Sequence, residues 1–88
     1  MNNIAIIIPT YNELENIENL ILKILINVPK SSIFIVDDSK TQEIGELIRN
    51  NNLKAKYFYR TKESGRGSAV LYGLKKALEE NKYETFIE

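Results

Sequence analysis

The sequence holds no cysteine and no histidine. Disulfides, thiolate nucleophiles, zinc sites of the Cys/His type and histidine general-base chemistry are excluded together. Charge of one sign is also lacking. Twelve basic residues balance 12 acidic ones, so no overall field draws the chain to nucleic acid or to an anionic membrane. Glycine is scarce at four residues and proline scarcer at two. No Gly-x-x-x-x-Gly-Lys-Ser/Thr run exists, which removes the P-loop, and the first strand-to-helix turn has no glycine, which removes the dinucleotide fingerprint. Basic residues do not interleave with aromatics densely enough for a nucleic-acid surface. The longest largely apolar stretch, residues 20–28, contains Lys23 and Asn27 and falls far short of the ~20 residues of a membrane span. No basic segment precedes the first apolar run, as a secretory leader requires, so a soluble cytoplasmic chain is expected.

What remains is an ordinary globular composition, 43% hydrophobic and 27% charged, in 88 residues. That length supports one small domain, which buries only about 60–65% of the surface its unfolded chain exposes. Residues 4–8, IAIII, form a β-branched run without alternation, the pattern of a strand covered on both faces. Pro9 ends its hydrogen-bonding capacity. Asn12 with Glu15 resembles a capping box, and Leu14, Ile17, Ile21, Ile24 and Val28 follow at helical spacing. Leu20, Leu22, Leu25 and Ile26 widen that stripe, so a substantially buried helix is expected up to Pro29. A second buried-type strand covers residues 33–36. Ser39 with Gln42 caps a short helix that buries Ile44, Leu47 and Ile48, and the Asn50-Asn51-Asn52 run is a turn. A third strand is expected at 55–59, a third helix at 68–80 and a fourth strand at 84–88. The order β-α-β-α-β-α-β predicts an α/β fold with a parallel sheet and right-handed crossovers.

Three polar clusters follow three successive strands, at residues 9–13, 37–39 and 60–67. In a parallel sheet they converge on the carboxyl edge, where open α/β sheets bind ligands. Tyr11 either stacks on a flat ring such as a nucleobase or covers the edge of the core. Glu13 either complements the helix dipole or reaches a sugar hydroxyl. Asp37 and Asp38 end a hydrophobic strand, where two carboxylates cost free energy unless solvated, hydrogen-bonded or neutralised. Successive residues point to opposite sides, so one is structural and the other faces the crevice. Gly65-Arg66-Gly67 allows close backbone approach before a helix, and Arg60, Lys62 and Arg66 give that loop local positive charge for a phosphate.

IIPTYNELENI at 7–17, IFIVDD at 33–38 and SGRGSAVLYGLKKAL at 64–78 resemble the amino-terminal part of family 2 glycosyltransferases. The likeness is greatest to the branch that makes polyprenyl-phosphate sugars, and it spans essentially the whole chain. It implies a Rossmann-like, GT-A type fold holding a nucleotide-sugar, with GDP and UDP both open. On that resemblance Pro9 and Tyr11 pack against the base, Glu13 lies near the ribose, and Asp38 reads the base. Asp37 is its structural neighbour, and Arg66 faces the diphosphate, as in the glucosyl-transferring branch.

Two departures bear on activity. The family's Gly-Ser-Pro-Asp-Gly-Thr-like loop after Val-Asp-Asp is replaced by Ser39-Lys40-Thr41. The Asp-x-Asp motif that holds Mg²⁺ or Mn²⁺ in the family is absent, so these residues alone are expected to bind nucleotide weakly and not to catalyse transfer to a lipid-phosphate acceptor. The alternative is a non-catalytic α/β module that binds a nucleotide or a protein and forms a homodimer through the edge strand at 84–88. A phosphoacceptor receiver domain is excluded, because its acid pair follows the first strand and here the pair follows the second.

Overall fold

The computed structural model describes residues 3–62 and 65–88. Seven elements alternate: β1 (Ile4–Thr10), α1 (Leu14–Asn27), β2 (Ser31–Asp37), α2 (Glu43–Asn50), β3 (Lys56–Tyr59), α3 (Arg66–Glu79) and β4 (Thr85–Ile87). The strands form one parallel sheet in the order β3-β2-β1-β4. The expected α/β alternation is therefore the observed one, and the order places β1 beside both the second and the fourth strand.

The period-two alternation of β2 divides the core. Ile33 and Ile35 pack with Ile17 and Ile21 of α1 and Ile44 and Ile48 of α2. Phe34 faces the other way, with Ala5 and Ile7 of β1 and Ala77 of α3. Helices thus cover both faces, which is why β2 reads as a continuous apolar run. On the α3 side Phe34 stacks with Phe58 and meets Tyr83 edge-on. Lys56 at the start of β3 reaches both carboxylate oxygens of Glu80 at the end of α3. That bond holds Glu80 below its usual range, and with the Tyr83 hydroxyl it outweighs the burial that would lower Lys56.

Pro9 does not end β1; it sits inside it, opposite Val36. Thr10 accepts from the amide of Asp38, and Asn3 accepts from Glu84 and Thr85 on the other side. Alternation then points the Pro9 nitrogen toward β4, beyond Ile87, the last β4 residue paired with β1. The ladder needs no donor there, so proline is tolerated.

Three further expectations are corrected. α1 is not substantially buried: only Ile17 and Ile21 are, and Leu14, Leu20, Leu22 and Ile26 are exposed. Sheet and α2 reach one row of this helix, and among the described residues no second layer covers the wider stripe. Asn12 does not cap α1; the N-cap is Glu13, without a side-chain cap bond. Ser39 likewise does not cap α2, which starts from Gln42. Both residues are drawn into the loop contacts described below.

With few glycines, asparagine takes the left-handed positions. Asn12, Asn52 and Asn81 all have φ of 53°. Asn52 closes α2 in a Schellman motif, with Leu53 N–H donating to the Ile48 carbonyl and Asn52 N–H to Arg49. At Gly73 of α3 the small size is required. A Cβ on Gly73 would lie 2.5 Å from Ile7 Cγ2 and 3.1 Å from Val36 Cγ2. Gly73→Val is accordingly expected to destabilise the chain by about 3 kcal/mol in urea unfolding. Gly67→Ala, with nothing within 4 Å, should leave the midpoint unchanged or raise it slightly.

Candidate functional site

The carboxyl ends of β1, β2 and β3 are held together by one buried carboxylate. Asp37 is fully buried, and four donors satisfy it. Oδ1 accepts from Thr10 Oγ1 at 2.9 Å, from the Ser39 amide at 3.0 Å and from the Ser39 hydroxyl; Oδ2 accepts from the Tyr57 hydroxyl at 2.6 Å. Alternation puts Asp37 on the α1/α2 face, like Ile33 and Ile35. Burial first, and then the bond to Asp37, push the Tyr57 phenol well above its ordinary 10.0. Gly45 of α2 makes room for that ring, since a Cβ there would collide with it.

Ser39 carries the network onward. Its hydroxyl also accepts from the Asn12 amide at 2.6 Å, while Asn12 Oδ1 accepts from the Lys40 amide at 3.3 Å. These bonds hold Asn12 in its left-handed turn, which projects Tyr11 outward. Tyr11 is 55% exposed and does not cover the core. Glu13 folds back so that its Oε1 accepts from the Tyr11 amide at 3.0 Å.

Asp38 points the opposite way, toward α3, and is paired. Arg60 Nε donates to Oδ1 at 2.8 Å and Nη2 to Oδ2 at 2.7 Å, with side-chain exposures of 6% and 5% for the arginine and the aspartate. Arg60 Nη1 donates to Ser68 Oγ at 2.8 Å, and its guanidinium lies 5.6 Å from the Tyr72 ring centre. The expectation that Arg60 adds positive charge for a phosphate is corrected: its charge is committed to Asp38. Sequence offers little sign of this pairing. The one usable signal is parity, since Arg60 shares the α3-facing phase of Phe58.

Between these parts lies a cleft of about 340 Å³ lined by Pro9, Thr10, Tyr11, Glu13, Asp38, Gly65, Arg66 and Ala69. Five of the six residues singled out from sequence, Pro9, Tyr11, Glu13, Asp38 and Arg66, share it; Asp37 lies beneath as support. Gly65, at φ 113°, turns the chain into α3, and nothing crowds its Cβ position. Arg66 is 71% exposed and bonded to Glu88 at 3.0 Å. Glu63 and Ser64 of the expected loop lie outside the described residues. A second hollow of about 450 Å³ adjoins across Tyr11 and Asp38, and is lined also by Ser39, Lys40, Tyr59, Arg60, Thr61 and Lys62. Among the described residues no three acidic side chains converge on a point that could hold a metal ion.

Fold and cleft together define an α/β domain with a crevice at the carboxyl edge of a parallel sheet, beside the point where the helices change face, the place where open α/β sheets bind ligands. The profile of the family described as Glycosyl transferase family 2 matches residues 5–87, and the chain belongs to that family. Over 78 residues it is 38% identical to a dolichol-phosphate mannosyltransferase of Pyrococcus furiosus, a match covering 84% of this chain and 22% of that protein. Over 88 residues it is 35% identical to an uncharacterised glycosyltransferase of Rickettsia conorii, covering 97% of this chain and 14% of that protein. The chain therefore spans less than a quarter of the length of either relative.

The Tyr57–Asp37 bond makes stability depend on alkaline pH. The phenol's affinity for its proton is higher folded than unfolded, so its contribution is complete below pH 10.0 and is lost as pH rises through the raised folded value. Tyr57→Phe is expected to cost about 1–3 kcal/mol in urea unfolding at neutral pH. It should also flatten the decline above pH 10.0 seen with the native tyrosine.

Proposed function

We propose that residues 1–88 form the nucleotide-binding part of a glycosyltransferase that takes its sugar from a nucleoside diphosphate donor. The observation that carries this reading is the convergence of Tyr11, Glu13, Asp38, Gly65 and Arg66 on one cleft. Each has a chemical use there. The exposed Tyr11 ring offers a stacking face for a base, and Asp38 an acceptor for a base N–H. Glu13 lines the same cleft, where a ribose hydroxyl could donate to it. Arg66 and the first amides of α3 present positive charge to a diphosphate, and Gly65 lets backbone approach closely.

The acceptor we propose is a polyprenyl phosphate, by likeness to the relative named dolichol-phosphate mannosyltransferase. A phosphate oxygen of that lipid would attack the anomeric carbon as the bond to the diphosphate breaks. The Mg²⁺ or Mn²⁺ expected from the family resemblance does not fit the described residues, which bring no three acidic side chains together. These residues alone are therefore proposed to bind donor without transferring sugar. No helix among the described residues is long and apolar enough to cross a membrane. The alternative module, pairing with a second copy, has in its favour the open β4 edge, with Phe86 and Ile87 partly exposed. Pairing through that edge gives no use to the cleft residues, so the donor reading stands first.

Titration of the ¹⁵N-labelled chain with UDP and with GDP tests the reading. Saturable amide shifts are expected at Tyr11, Glu13, Asp38 and Gly65 through Ala69, with little dependence on added Mn²⁺. Arg66→Ala should weaken a nucleoside diphosphate about tenfold and the parent nucleoside hardly at all. A folded spectrum unmoved by millimolar nucleotide would sink the proposal.

A further inference from the structure

Building on the donor-site reading, we infer that Arg60 is a positioning residue that selects the base, directing the cleft to uracil rather than guanine. The argument starts from the acceptor capacity of Asp38. A carboxylate has about four lone-pair sites, two of which converge to receive a fork of parallel N–H bonds. In this chain that fork is already filled, by Arg60 Nε on Oδ1 and Nη2 on Oδ2. Among the described residues one outward lone pair on each oxygen is left over, and these diverge.

Guanine presents a fork of its own, the ring N1–H beside the exocyclic N2–H, and a carboxylate reads it by the geometry Arg60 now occupies. Uracil presents a single imide N–H between two carbonyls. One remaining lone pair of Asp38 suffices for it. The carbonyls on either side call for donors, and Lys40 and Lys62 line the hollow that shares Tyr11 and Asp38 with the cleft.

Arg60 does not readily give way to guanine. Its Nη1 is bonded to Ser68 of α3, its guanidinium lies over Tyr72, and its backbone amide donates to the Asp37 carbonyl at 2.9 Å. Its side chain is 6% exposed, so withdrawing it from Asp38 would strand a buried cation and a buried anion together. The pairing thus acts on specificity through Asp38, while α3 keeps Arg60 in place.

Calorimetric titration of the chain with UDP, GDP and N3-methyl-UDP tests this. UDP is expected to bind about tenfold or more tightly than GDP, and methylation at N3 to cost about tenfold, as when a buried acceptor loses its donor. Two variants report on Arg60 itself. Arg60→Lys keeps the charge but cannot form the fork, and should bring the UDP-to-GDP preference toward unity. Should that variant not fold, Ser68→Ala leaves the Asp38 pair intact, loosens its anchor, and is expected to narrow the preference about threefold. GDP binding as tightly as UDP, an N3-methyl analogue binding as well as UDP, or a preference unmoved in the variants would each overturn the inference and leave the donor site standing. Failure of both nucleotides to bind would overturn the donor-site reading and this inference with it.

Discussion

A single buried carboxylate holds the working end of this domain in place. Asp37 takes donors from Thr10 at the end of β1, from Tyr57 in β3, and from the loop that follows its own strand. A carboxyl group with no exposure is tolerable only when its hydrogen-bonding sites are filled, and among the described residues no buried side-chain polar atom lacks a partner. The need to satisfy Asp37 therefore fixes three strand ends relative to one another. Through Ser39 it also fixes the Asn12 turn, and with it the place from which Tyr11 projects. The loop after β2 is short, and direct bonds from Ser39 and Lys40 to Asn12 do the bracing.

The same alternation that divides the hydrophobic core also divides the acid pair. Asp37 continues the phase of Ile33 and Ile35 into the α1/α2 layer; Asp38 continues that of Phe34 toward α3. Adjacent residues thus acquire different work from one rule, that successive strand side chains point to opposite faces. The strand order adds the rest. β1 pairs with both β2 and β4, so the chain must cross from β3 at one edge to β4 at the other. That crossing carries α3 over the second face and brings its first turn against the ends of β1 and β2.

Much of this was legible in the sequence, because hydrophobic pattern dictates the elements and their order dictates which loops share an edge. The buried runs of β1 and β2, the stop at Pro29 and the convergence of residues 9–13, 37–38 and 65–66 all follow from such rules. What was not legible depends on pairing across the fold. Asn12 and Ser39 have the composition of helix caps, yet each finds a stronger partner in the neighbouring loop than in its own helix. The apolar breadth of α1 suggested deep burial, but how much of a stripe is covered depends on the layers available, and here there is one. Arg60 looked like a phosphate contact because a sequence shows its charge and hides its partner. Tertiary contact overrode local propensity in each case.

Arg60 and Arg66 show how burial assigns roles to like residues. Both sit beside the cleft, and both are bonded to a carboxylate. The Arg60–Asp38 pair is almost wholly enclosed, and removing either partner from such a pair costs about 3–5 kcal/mol because the other charge is left without water. The Arg66–Glu88 pair is largely solvated, at 71% and 48% exposure, and such a pair is worth about 0–1 kcal/mol. A diphosphate arriving at the start of α3 can therefore take Arg66 from Glu88 at little cost, aided by the helix amides that point the same way. The same ligand cannot take Arg60 from Asp38. One arginine is exchangeable and suits a ligand's charge; the other is fixed and shapes what the neighbouring carboxylate can recognise.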